Sequence, residues 1–192
     1  IPSSLMRAAA VLLPEVAAGL FFGLLLRFFV MILQITGSIA AQSTSLSQIF
    51  GGSAGTDPQP AIGHVLVISG LALATLMGLH VHFASFMIHS YDLVPIGVLL
   101  SDQTVANLGM KAVARTFELG FTLAAPFMIG SLIYNITLGV INKAMPQLMV
   151  SFVGAPAITA GGLLLLMITA PIILSIRIAE FTTFVGTGGG AL

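Results

Sequence analysis

Three histidines and an aspartate crowd one stretch of the chain: His80, His82, His89 and Asp92. Imidazole and carboxylate are ligands of zinc and the general acids and bases of hydrolysis, so chemistry is sought here first. The spacing argues against both uses. His82 and His89 are seven apart and share a helix face, whereas His80 and His82 point to different faces. No H-E-x-x-H pair is present, and a chain without cysteine has no thiolate to complete a site. The pattern favours packed or hydrogen-bonded histidines. An enzyme built on these four residues stands as one alternative.

The other polar residues offer no reactive constellation. Glu15, Gly19, Gly23 and Arg27 lie at steps of four, on one ridge of a helix. Small residues on such a ridge let a second backbone approach closely, and the two charges at its ends call for a protein partner or water. Lys111, Arg115 and Glu118 read as a surface group at a helix start, worth a few tenths of a kcal/mol. There is no G-x-S-x-G elbow and no glycine-rich phosphate loop. Asn135-Ile136-Thr137 has the form of a glycosylation sequon but falls inside an apolar run. The expectation is a chain with no catalytic residues, no metal and no cofactor.

The elements carrying these residues are apolar to an unusual degree. Hydrophobic residues make up 57% of the 192 positions and charged residues 6%, with a mean hydropathy of +1.12. An ordinary soluble domain carries about 25% charge, so lipid or a large apolar protein interface must cover this one. Net charge is zero and the charges are scattered singly, which excludes a basic patch for nucleic acid. Tryptophan is absent and tyrosine occurs twice, so an aromatic belt would have to rest on phenylalanine. The chain starts Ile1-Pro2 with no secretory signal, and a longer protein with a missing N-terminal segment is expected.

Four runs reach the roughly 20 apolar residues that cross a bilayer as a helix: 14–35, 62–88, 119–141 and 157–178. None alternates polar with apolar, and in lipid only helices or closed barrels satisfy the backbone, so the fold class is all-α. Between the runs, Ser, Thr, Gly and Pro are expected to break the helices over 36–61, over 89–112, and around Asn142-Lys143, Pro146, Gly154 and Pro156. With four alternating spans, Arg7, Lys111, Arg115 and Arg177 fall on one side and Lys143 on the other. The excess of basic residues would place the first group in the cytoplasm. The expected organisation is a single membrane-embedded helical domain over residues 1–192. A small transporter or channel subunit with lipid around all four helices fits this composition.

The break Leu46-Ser47-Gln48-Ile49-Phe50-Gly51-Gly52 puts apolar side chains on a glycine-containing loop. Such side chains can seal a pore by excluding water, and equally belong to a plain surface loop.

The order of motifs along the chain is more specific than any one of them. Glu15-Val16-Ala17-Ala18-Gly19 is followed by Leu46-Ser47 to Phe50, then by His80 and Val94-Pro95-Ile96-Gly97. Next come Gly120 through Leu123-Ala124-Ala125-Pro126, Asn135, Gly139, Pro146-Gln147-Leu148 and Gly154-Ala155-Pro156. This series resembles the FliR family of flagellar biosynthetic proteins and their injectisome relatives over nearly the whole chain. Leu79, where the family usually has glycine before His80, and Met149, where many members have asparagine, depart from its pattern.

The resemblance implies a job as well as a fold: membrane-associated helical hairpins, broken at Gly and Pro, in a type III protein export gate. The expected partners are the gate subunits FliP and FliQ, the protein FlhB, unfolded export substrates and membrane lipid. The expected place is the bacterial inner membrane at the flagellar basal body; an injectisome gate is the near alternative. The resemblance further implies that Leu46, Ile49 and Phe50 plug the idle pore, with Gly51 and Gly52 as their hinge. Gly120, Pro126, Asn135, Gly139, Pro146, Gln147, Gly154 and Pro156 would then serve helix packing and subunit contact beside the Glu15 to Arg27 ridge. Transport energy in such systems comes from the proton motive force and an associated ATPase, so this chain would hydrolyse nothing.

Overall fold

The computed structural model describes residues 2–44, 61–99, 101–145 and 150–186. These residues form five helices and no strand: α1 (Pro2–Ser43), α2 (Ala61–Leu76), α3 (Leu79–Leu93), α4 (Asp102–Ala144) and α5 (Val150–Gly186). The all-α expectation holds. Pro14, Pro126, Pro156 and Pro171 all lie inside helices, as long apolar helices tolerate when neighbours satisfy the freed backbone groups.

The boundaries differ from the sequence expectation in four places. Helix α1 continues through 36–43, where polar residues were expected to break it. Thr36 and Thr44 turn their hydroxyls onto the Ile32 and Ala40 carbonyls, at 2.8 and 2.9 Å, which removes their polarity from the surroundings. Gly37, Ala40 and Ala41 are buried, so their smallness serves packing. Helix α4 starts at Asp102, well before the apolar run beginning at Leu119. Ser101 caps it, its Oγ accepting the Thr104 N–H at 3.2 Å, and Asp102 places a carboxylate in the first turn. Gly154 and Pro156, read as loop, belong to α5.

The fourth difference divides the run 62–88 in two. Helices α2 and α3 meet at an angle of 74° across Met77 and Gly78. Gly78 sits at φ +71°, a left-handed conformation that glycine adopts without a Cβ penalty. Its carbonyl accepts the N–H of Val81 at 2.9 Å and of His82 at 3.3 Å, starting α3. Among the described residues three helices are therefore long and apolar enough to cross a membrane, or four spans if the bent pair counts as one.

The chain forms two compact units. The first contains residues 1–31, 72–116 and 177–192, and its core is phenylalanine. Phe22, Leu25, Phe86, Ala112 and Phe184 are buried, with Phe21, Phe28, Phe29, Phe83 and Phe181 packed around them. The rings meet edge to face, Phe22 with Phe86 at 5.4 Å and Phe29 with Phe181 at 4.8 Å. Each such pair contributes about 0.5–1.5 kcal/mol beyond its area.

The second unit contains residues 32–71 and 117–176, and it packs through small residues. A Cβ on Gly37 would lie 2.2 Å from the Cα of Gly63, so α1 and α2 touch backbone to backbone. A Cβ on Gly120 would meet Ile35 at 2.8 Å, and one on Gly70 would meet Leu33 at 2.7 Å. Thr36, fully buried, also reaches the Gly120 carbonyl at 3.3 Å. Close approach at small residues, with hydroxyls bonded across helices, is how helices associate where no hydrophobic drive exists between them.

Candidate functional site

Glu15 finds its partners inside its own unit. Its Oε2 accepts the Tyr91 hydroxyl at 3.1 Å and its Oε1 accepts the Gly97 N–H at 3.0 Å. The Val98 N–H donates to the Pro95 carbonyl at 3.1 Å, and Gly97 has φ +79°. This is a turn with glycine at the third position, where a left-handed residue is required. Glu15 thus ties the turn following α3 to α1. Beneath it a cleft is lined by Ala18, Gly19 and Phe22 of α1, with Met87 and Ser90 of α3.

The rest of the ridge is open. A Cβ on Gly19 or Gly23 would meet nothing within 4 Å. Arg27 is exposed and makes no ion pair among the described residues.

A second polar group lies within the first unit. Arg115 of α4 donates to Glu180 of α5 at 2.7 Å, and Arg177 donates to the other oxygen of the same carboxylate at 2.5 Å. Arg177 is only 5% exposed. Its guanidinium stands 4.7 Å above the Phe29 ring and reaches the Phe29 carbonyl at 3.5 Å. An aromatic face adds roughly 0.5–2 kcal/mol to such a cation. One carboxylate therefore joins α4 and α5, and the arginine it holds joins α5 to α1. The sequence reading missed this group, placing Arg115 in a surface group and counting Arg177 only with the basic residues of the expected cytoplasmic side. A signal was present: Arg177 and Glu180 are ionisable residues three apart in an apolar segment, where charges persist only when paired.

The histidines do not converge. His80, His82 and His89 are exposed on α3, and Nδ1 of His82 and of His89 bonds the Gly78 and Ser85 carbonyls one turn back, at 3.2 and 2.8 Å. No group of three metal-ligating side chains comes together among the described residues. The Asp92 side chain lies outside them.

The remaining motif positions divide into those that meet a neighbour and those that do not. Gly120 packs on α1 as above, and the buried Gly154 accepts the Tyr134 hydroxyl on its carbonyl. Asn135 is exposed and donates to Ser131 Oγ at 3.3 Å. Gly139 is exposed with open space where a Cβ would be; Pro126 and Pro156 are exposed within their helices. Leu46, Ile49, Phe50, Gly51 and Gly52, with Pro146 and Gln147, lie outside the described residues. Glycines that sequence reasoning passed over make the closest contacts: Gly37 against Gly63, and Gly162 against Thr44.

These features define a class. The helices are apolar enough to cross a membrane, and their hydroxyls are bonded back into the helices or across them. Their outer faces are largely uncovered: 22%, 11% and 17% of the most apolar stretch of the three long helices is buried by the chain itself. This is a helical membrane-type protein organised by packing. The model of a family described as "Bacterial export proteins, family 1" matches residues 1–184, and the chain belongs to that family.

Relatives named flagellar biosynthetic protein FliR align with most of it. The chain is 33% identical over 174 residues to that of Caulobacter vibrioides, covering 88% of this chain and 68% of the relative. It is 28% identical over 169 residues to that of Aquifex aeolicus, covering 84% and 62%. Against that of Escherichia coli the identity is 24% over 160 residues, covering 83% and 61%. The chain thus spans 60–68% of the length of the relatives it matches.

Proposed function

We propose that the chain is a subunit of the type III protein export gate in the bacterial inner membrane, at the flagellar basal body. With FliP and FliQ, and beside FlhB, it forms the pore through which unfolded rod, hook and filament proteins leave the cytoplasm. The observation that carries this reading is the family match over residues 1–184, joined by relatives named FliR along most of the chain. The uncovered apolar faces of α1, α4 and α5 support it, because a gate subunit is enclosed by other subunits as well as by lipid. The open glycine ridge at Gly19 and Gly23 and the unoccupied Gly139 are surfaces where a neighbouring helix can approach.

In this reading the chain hydrolyses nothing and holds no cofactor. Its segment 46–52 is the plug of the idle pore: Leu46, Ile49 and Phe50 exclude water, and Gly51 and Gly52 let them swing aside. Apolar constrictions gate by dewetting, and a passenger must displace side chains rather than break bonds.

The test is co-purification from cells making the full-length protein with its gate partners. FliP and FliQ are expected to accompany it in fixed ratio, and loss of the gene is expected to abolish flagellar export. A stable, monodisperse monomer in detergent with no companions would overturn the assignment in favour of a self-sufficient transporter.

A further inference from the structure

Between positions 16 and 27 of α1, within the first unit, the exposed residues recur at alternating steps of three and one: Val16, Gly19, Leu20, Gly23, Leu24 and Arg27. That spacing draws one continuous face along a helix. Val16, Leu20 and Leu24 are 61%, 65% and 53% exposed, and a Cβ on Gly19 or Gly23 would meet nothing within 4 Å. The other side of the same turns is spent on the phenylalanine core, through Phe22 and Leu25. The exposed face is therefore a shallow groove, in which two glycines bare the backbone between three large apolar side chains. Such a groove lets a second helix approach closely.

Arg27 stands at one end of the groove. From Val16 to Leu33 it is the only polar side chain in the sequence, in a stretch of roughly 27 Å of helix against a hydrocarbon core of about 30 Å. It makes no ion pair among the described residues. Two carboxylates of its unit are engaged elsewhere. Glu15 lies more than three turns away on the same helix and holds Tyr91 and Gly97, and Glu180 holds Arg115 and Arg177. A guanidinium persists in apolar surroundings only with a counter-charge or a path to water. Its planar fork matches a carboxylate in a bidentate pair.

We propose that this face of α1 receives a helix of a partner chain, which packs into the groove at Gly19 and Gly23 and presents an aspartate or glutamate to Arg27. The groove and the charge are independent features, and one helix answers both. The apolar contact holds any helix of suitable shape; the charge selects among them, because a cation at that level would be repelled. The inference rests on the reading of the chain as a gate subunit and adds to it the chemistry of one contact.

The test uses the full-length protein assembled with its partner subunits and captured in mild detergent, reading the partners recovered per molecule of this protein. Arg27→Gln is expected to lower recovery by roughly threefold or more, and Arg27→Glu by roughly tenfold or more. Arg27→Lys, which keeps the charge, is expected to retain more than Arg27→Gln. In the Arg27→Glu background, each Asp and Glu in the apolar helices of the accompanying subunits is then changed to Lys in turn, and one exchange is expected to restore recovery.

If Arg27→Gln recovers its partners at the wild-type level, the contact is overturned while the gate reading stands. If recovery falls and no exchange restores it, the partner carboxylate is overturned; dependence of wild-type recovery on added phosphatidylglycerol would then mark a lipid phosphate as the counter-charge. If the wild-type protein brings no partners, the gate reading fails and this inference falls with it.

Discussion

The Glu15 carboxylate accepts the Gly97 N–H at 3.0 Å across 82 positions of sequence. Two separate motifs are thereby one structural unit, a carboxylate on α1 and a glycine turn after α3. Gly97→Ala would force a Cβ into a left-handed position, at about 1–2 kcal/mol. Glu15→Ala removes two hydrogen bonds to a charged acceptor, for a loss of about 1–3 kcal/mol at this half-buried site. Thermal unfolding in detergent is expected to show both losses, with the double variant losing less than their sum because both act on one contact. Strict additivity would mean that Glu15 does not hold the turn.

Glu180 neutralises an arginine that is 5% exposed, and removing one member of a buried pair costs about 3–5 kcal/mol. Arg115, with its side chain 47% exposed, contributes at most ~1 kcal/mol as an ion-pair partner. Glu180→Ala is therefore expected to destabilise the protein several times more than Arg115→Ala. Equal effects would show that Arg177 draws its compensation from elsewhere.

The glycines separate into two experimental classes. Gly37→Ala drives a Cβ into backbone and is expected to prevent correct folding, because overpacking at a backbone contact has no side chain to move aside. Gly19→Ala and Gly139→Ala meet open space and remove an entropic penalty of about 0.5–1 kcal/mol each. The isolated chain should be stabilised by both, while recovery of assembled gate should fall if partner helices use those faces. Thermal melts read beside co-purification yields separate the two effects.

Replacing His80, His82, His89 and Asp92 together with alanine is expected to leave flagellar export near wild type, measured as motility through soft agar. The bonds from His82 and His89 are to carbonyls of their own helix, so little tertiary structure depends on them. Complete loss of export by a stable, fully assembled quadruple variant would revive the enzyme reading.

The helical class and the four apolar runs were legible in the sequence, because hydropathy and the absence of alternation are properties of the chain itself. Helix ends were not. Thr36, Gly37 and Ser43 look like loop residues by composition, yet a threonine that bonds its own helix and a glycine that meets another backbone are at home inside α1. The early start of α4 rests on the Ser101 cap, whose Oγ accepts the Thr104 N–H, inside a stretch whose polar composition reads as a break. The ridge from Glu15 to Arg27 was recognisable by its steps of four. That Glu15 bonds Tyr91 and Gly97, and that Arg115 reaches Glu180, depends on contacts between distant segments, which spacing along one helix does not encode.

The bend at Gly78 has a bearing on parity. Counted as one crossing, α2 and α3 bring the total to four and return both ends of the chain to the same side of the bilayer. Counted as a pair that enters and leaves by one face, they reduce it to three and set the ends on opposite sides. The bend at Met77 and Gly78 thus decides whether the two ends share a side of the bilayer. A reporter fused after α5 would read the answer directly.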